Sequence, residues 1–139
     1  MNVEINNVAV LVAALSSMVV GSFWYSKSGF GKTWMKLSNV TEKQMKEGGF
    51  LPMVWALVRS LLTAYILAHV IFISNNFFGG SYFANSLTTG FYMWLGFGGV
   101  MMVMRDAFEG RPKNLTLLNV ANEFVTIMVM ALVIGLIGL

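Results

Sequence analysis

The chain has no cysteine, only two prolines, and few charges: 11% of its 139 residues are Asp, Glu, Lys or Arg. The missing cysteine excludes disulfides, thiolate metal sites and cysteine nucleophiles, and it leaves the redox compartment open. The shortage of charge is more informative. A soluble domain of this size carries about a quarter charged residues, because its surface must be covered with polar groups. Here the charges are too few to coat a globule, which implies a second, apolar solvent. Hydrophobic residues make up 57% of the chain, the mean hydropathy is +0.71, and there are 14 glycines. Gly-rich, Pro-poor apolar helices suit lipid, where every backbone polar group must be satisfied internally. The net charge of +3 is modest, and no basic, aromatic-interleaved patch of the kind nucleic acid requires is present.

Four apolar stretches are long enough to cross a hydrocarbon layer of ~30 Å, which takes about 20 helical residues. They run over about 5–24, 51–73, 83–104 and 115–138, within a single membrane domain over 1–139. The segments between them differ in charge. Lys27, Lys32, Lys36, Lys43 and Lys46 follow the first span, and Arg105, Arg111 and Lys113 separate the third from the fourth. The N-terminus, the segment from Ser74 to Tyr82 and the C-terminus carry neither Lys nor Arg. The remaining basic residue, Arg59, lies inside the second span. The positive-inside rule therefore predicts both termini outside and both basic loops in the cytoplasm. No positive residue precedes the first apolar run, whose only early charge is Glu4, so it reads as a retained span and not a cleaved signal. A multi-pass protein of the bacterial inner membrane is expected, with the bilayer as its main partner.

In the first basic loop, Phe30, Trp34 and Leu37 recur at i, i+4 and i+7, the spacing of a short amphipathic helix at the headgroups. It reads either as an aromatic anchor or as a docking site for a partner. Thr41-Glu42-Lys43-Gln44 has capping-box form, and Gly48-Gly49 supplies a stop. Two N-x-T sequons, at Asn39 and Asn114, fall in loops assigned to the cytoplasm and are taken as chance matches. The outer segment Ser74–Tyr82 is short, uncharged and aromatic, which places it at the membrane interface. The two halves share a pattern of span, basic loop and span with ionisable groups, without a demonstrable repeat.

An ionisable side chain within a span costs at least ~2.5 kcal/mol at the bilayer centre and so marks a partner or a site. Arg59, His69 and Glu123 qualify. Arg59 lies eight residues past Leu51 and Glu123 eight past Leu115, so both sit roughly 12 Å in from the basic end at a rise of 1.5 Å per residue. Spans two and four run in the same direction, so the pair can meet at one level as an Arg–carboxylate bridge. Thr116, Asn119, Glu123 and Thr126 form one stripe of the fourth span, with Asn122 beside it. Arg59, Asn119, Asn122 and Glu123 are then either interhelical glue or a polar pocket open to the cytoplasm, holding a small molecule or ion. His69, about 15 Å further along its helix than Arg59, is either a hydrogen-bonded neutral histidine or a proton relay.

Other chemistry is poorly supplied. A lone histidine without cysteine or a nearby acidic cluster gives little support to a zinc or iron site, no Ser-His-Asp arrangement is obvious, and no cofactor is expected. The chain leans away from being an enzyme. Gly96, Gly98 and Gly99 lie mid-span, where they permit close helix approach or a bend. Ala13, Ser17 and Gly21, and Ala131 with Gly135, form small-residue ridges that suggest a homodimer.

Trp24-Tyr25-Ser26 with Phe30-Gly31-Lys32-Thr33-Trp34-Met35, and Phe108-Glu109-Gly110-Arg111-Pro112 with Asn119, give the chain a resemblance over nearly its whole length. It resembles the small bacterial membrane proteins catalogued as domain of unknown function 1761. The resemblance implies four spans and brings no established activity. It also implies histidine where this chain carries Glu123, which would make the Arg59–Glu123 pair particular to this protein. Both motifs fall on the side of the polar cluster, so Lys32, Trp34, Glu109 and Arg111 are candidates for the cytoplasmic mouth of one site.

The expected fold is therefore an all-α integral membrane four-helix bundle, N-out and C-out, with a short interfacial helix after the first span. The leading function is a transporter-like or ligand-binding protein. The alternative is a structural or adaptor subunit that binds a partner protein through its cytoplasmic loops.

Overall fold

The computed structural model describes residues 5–138; Glu4, the early charge noted above, lies outside them. Seven α-helices follow in order: α1 (Asn7–Trp24), α2 (Gly31–Ser38), α3 (Glu42–Glu47), α4 (Leu51–Phe78), α5 (Tyr82–Met93), α6 (Val100–Phe108) and α7 (Lys113–Ile137). A π-helical segment, Trp94–Gly99, joins α5 to α6. Four helices are long and apolar enough to cross a membrane, at 18, 28, 27 and 25 residues, the third being Tyr82–Phe108 taken through the π segment. The chain is a multi-pass membrane protein.

Local chemistry sets the ends of these helices. The Asn6 side chain accepts from the backbone N–H groups of Val8 at 3.0 Å and Ala9 at 3.2 Å, which satisfies donors the first turn leaves unpaired. Its amide also donates to the Gly138 carbonyl at 3.3 Å, tying the start of α1 to the end of α7. The second span runs on to Phe78, beyond the 73 expected. Gly79 and Gly80 then take positive φ, Ser81 caps α5, and the Asn85 amide donates to Asn75 Oδ1 at 2.8 Å and the Gly79 carbonyl at 2.7 Å. The uncharged aromatic segment is thus mostly helix, because nothing in it breaks the backbone before the glycine pair. The capping box forms: the Thr41 N–H donates to Gln44 Oε1 at 2.9 Å and the Gln44 N–H to Thr41 Oγ1 at 3.2 Å.

The spans form a ring in which α1 and α5 each pack between α4 and α7. Lipid tails are as apolar as leucine, so close packing and hydrogen bonds hold such a bundle together. Small residues provide both. Ala13, Ala14, Ala64, Ala68 and Ala131 are buried in one core with Leu67, Ile71, Met130 and Ile134, and Ser17 Oγ donates to Ser60 Oγ at 3.0 Å between α1 and α4. A Cβ at Gly90 would stand 2.6 Å from the Ala131 Cβ, and one at Gly135 would stand 2.1 Å from Ser86 Oγ. The ridge on the fourth span is therefore used against α5, and Ala13 and Ser17 are buried within the bundle. A homodimer would need a different face.

Candidate functional site

The site is assembled where the bundle opens at its basic end. There α4 packs along α5 and leaves Trp94–Phe108, whose main neighbour across the bundle is α7. The resulting cleft of about 970 Å³ is walled by Arg59 from α4, by Phe97 and Gly98 from the π segment, and by Met101, Met102, Met104 and Arg105 from α6. Asn119, Asn122 and Glu123 of α7 form its back, and Tyr25, Trp34 and Met45 close it from the loop side.

The loop reaches this position through a tight reversal. The Phe30 N–H donates to the Trp24 carbonyl at 2.7 Å and the Gly31 N–H to the Ser26 carbonyl at 2.9 Å. A Cβ at Gly31 would lie 2.3 Å from the Tyr25 carbonyl oxygen, so the close approach of the backbone requires glycine. The reversal turns α2 back against α7 and stacks Trp34 edge-on to Tyr25, with ring centroids 5.6 Å apart. It also directs the Tyr25 hydroxyl to donate to Asn119 Oδ1 at 3.0 Å. The sequence gives Tyr25 no role beyond the Trp24-Tyr25-Ser26 motif, because the hydrogen bond depends on a residue 94 positions away.

Arg59 Nη2 bridges to Glu123 Oε1. The arginine side chain is 59% exposed and the glutamate 12%, so the carboxylate sits inside and the guanidinium stands at the opening. Asn122 is 9% exposed, and its amide nitrogen has no hydrogen-bond partner among the described residues. Burial without a partner costs about 1–3 kcal/mol; the residue lines the cleft, but this nitrogen is itself closed off from it.

The other candidates lie elsewhere. Lys32 is exposed, and Glu109 pairs with Arg111 at 2.6 Å; these three line neither this cleft nor a smaller one beyond it, whereas Trp34 does line the cleft. His69 is outside both cavities. Its Nδ1 lies 2.9 Å from the Tyr65 carbonyl, in donating position, and its ring rests 4.3 Å from that of Tyr65. Among the described residues, no three acidic or histidine side chains gather as a metal-holding group.

Asp106 was not singled out by the sequence, where it is one charge of a mixed run. Its side chain is 0% exposed. Oδ2 accepts from the Thr116 hydroxyl at 2.9 Å, and Oδ1 accepts from Arg105 Nη2 at 3.2 Å and lies 3.8 Å from Arg111 Nε. The Arg111 N–H also donates to the Asp106 carbonyl at 2.9 Å. The turn between α6 and α7 is therefore organised around one buried carboxylate, which sets Arg105 on the cleft wall. In the polar stripe of α7, Thr116 serves Asp106, Asn119 serves Tyr25 and Glu123 serves Arg59.

Neither the curated proteins nor the solved structures contain a match to this chain. A family profile described as "Protein of unknown function (DUF1761)" matches residues 8–135, nearly the whole chain. The chain is therefore a member of the DUF1761 family.

Proposed function

We propose that the chain lies with both termini outside and its basic loops in the cytoplasm of a bacterial inner membrane, and that the cleft binds a small molecule from the cytoplasmic side. The observation that carries this reading is the gathering of Asn119, Asn122 and the Arg59–Glu123 bridge on the wall of a cleft of about 970 Å³. Interhelical glue has no need of a guanidinium standing at an opening. Ligand sites typically enclose about 300–1,000 Å³ with apolar walls and a few convergent polar groups, and this cleft has that composition. A binding step of this kind is the first half of a transport cycle, and the same site would serve a carrier.

Because the chain has no cysteine, single substitutions report accessibility without background. Asn119→Cys and Met102→Cys are expected to react with a small charged thiol reagent applied from the cytoplasmic side of membrane vesicles. Val19→Cys, on the lipid face of α1, is expected to resist it. Inert Asn119→Cys and Met102→Cys variants in folded protein would return the cluster to a packing role, and reaction only from the opposite side would reverse the orientation.

A further inference from the structure

The cleft does not end at the ion pair. A second space of about 260 Å³ lies beyond it, lined by Thr63, Ile66, Leu67, Met93 and Ile127. Arg59, Phe97, Gly98 and Glu123 line both spaces. Thr63, Ile66 and Leu67 follow Arg59 at i+4, i+7 and i+8, and Ile127 follows Glu123 at i+4. The same faces of α4 and α7 therefore continue away from the basic end. The order along the bundle is a cleft with a few polar groups at its back, an ion-pair level and a smaller apolar space. A water there would need two to four polar partners, and beyond the bridge at its mouth Thr63 provides the only polar side chain among the described residues.

Resting on the cleft reading above, we propose that the two spaces hold one molecule, a single-chain amphiphile with an anionic head. Its chain runs past Phe97 and Gly98 into the second space, and its head stays at the level of Arg59 and Asn122. Three features support this choice. Only one guanidinium nitrogen of Arg59 is engaged by Glu123, which leaves Nε and Nη1 as donors at the opening. Arg105 adds a second cation to the cleft wall, 53% exposed although its Nε and Nη2 lie on Asp106; among the described residues, Glu123 is the single acid lining the same space. At the narrow level Gly98 has no side chain, and a Cβ there would come within 3.3 Å of the Glu123 Cγ, so glycine keeps the passage beside the carboxylate open. With Ile66 53% and Phe97 72% exposed, the second space is a groove open on one side, and its volume of about 260 Å³ suits a single alkyl chain and not a two-chain lipid.

The experiment uses the full chain in phosphatidylcholine nanodiscs, with empty nanodiscs subtracted. A homologous series of n-alkyl carboxylates, butyrate to dodecanoate, is titrated, and dissociation constants are referred to the free aqueous concentration. Affinity is expected to rise about fourfold per methylene, from roughly 0.8 kcal/mol per buried methylene, and to level off once the second space is full. Thr63→Phe and, independently, Met93→Phe are expected to bring the plateau forward to shorter chains. Matching n-alkyl amines are expected to bind at least tenfold more weakly. The doubly neutral Arg59→Gln/Glu123→Gln variant, which leaves no charge unpaired, is expected to lose most of that preference. Affinity that ignores chain length, a plateau that ignores both of these substitutions, or amines that bind as tightly as carboxylates would each overturn the proposal. Carboxylates that protect Asn119→Cys from labelling with no dependence on chain length would overturn it while leaving the cleft reading intact. An unreactive Asn119→Cys with no binding at all would remove both.

Discussion

Replacing Asp106 with alanine tests the most deeply buried charge in the bundle. The substitution removes an acceptor 2.9 Å from the Thr116 hydroxyl and the counter-charge of Arg105 and Arg111. Breaking a fully buried ion pair by deleting one partner costs about 3–5 kcal/mol. Here the carboxylate is 0% exposed but the arginines are 53% and 43% exposed, so water and headgroups take up part of their charge and the cost must be discounted. About 2–3 kcal/mol is the expected loss, including roughly 1 kcal/mol for the Thr116 hydroxyl. Asp106→Asn keeps the shape and an oxygen for Thr116, so about 1–2 kcal/mol is expected there. Reversible unfolding in mixed micelles titrated with sodium dodecyl sulfate measures both. Hydrogen exchange at the Arg111 amide, bonded to the Asp106 carbonyl, should accelerate first, since the turn loosens before the spans do. An Asp106→Ala protein within about 0.5 kcal/mol of the parent, the usual range of neutral surface changes, would refute the view that this carboxylate organises the turn. Glu109→Gln, which breaks only the exposed pair with Arg111, supplies the contrast at about 0–1 kcal/mol.

The helix contacts make a second prediction. Gly135→Ala places a methyl against Ser86 and Gly90→Ala one against Ala131, so each should cost about 1–3 kcal/mol by overpacking in the same unfolding assay. Gly96→Ala meets nothing within 4 Å and should be neutral or slightly stabilising. A third prediction concerns the loop. The hydrogen bond and charge of Lys27, 2.8 Å from Glu42, hold the Glu42 carboxyl below its ordinary range, and the same bond raises the Lys27 ammonium. The link should therefore persist through neutral pH. It should be lost as pH falls through the lowered Glu42 value, and as pH rises through the raised Lys27 value. Carboxyl carbon chemical shifts of Glu42 follow this titration, and Lys27→Gln should return it to the ordinary carboxylate range; an unchanged titration in that variant would show the contact to be absent in solution.

Much of the architecture is legible from residues taken in order, because the relevant physics is local and one-dimensional. Hydrocarbon thickness and the 1.5 Å rise convert runs of apolar residues into spans. The same rise places Arg59 and Glu123 at one depth, and three- and four-residue steps put Thr116, Asn119 and Glu123 on one face. Capping chemistry is equally local, which is why Thr41 and Gln44 form their box as the sequence predicts.

Azimuth and neighbour choice are different, since they follow from packing many helices at once. Depth cannot say that Ala131 and Gly135 face α5 and not another copy of the chain; the close fits at Gly90 and Ser86 decide it. Nor does the run Arg105-Asp106 reveal which charge turns inward, because that depends on Thr116 arriving from the next helix. Tyr25 becomes part of the site only when the reversal at Gly31 brings its hydroxyl to Asn119. The sequence alone thus determined a charge-poor chain with four spans and one polar layer. Only the tertiary structure decided that this layer borders a cleft, because the divergence of α4 from Trp94–Phe108 is a property of how the helices pack and not of any one of them.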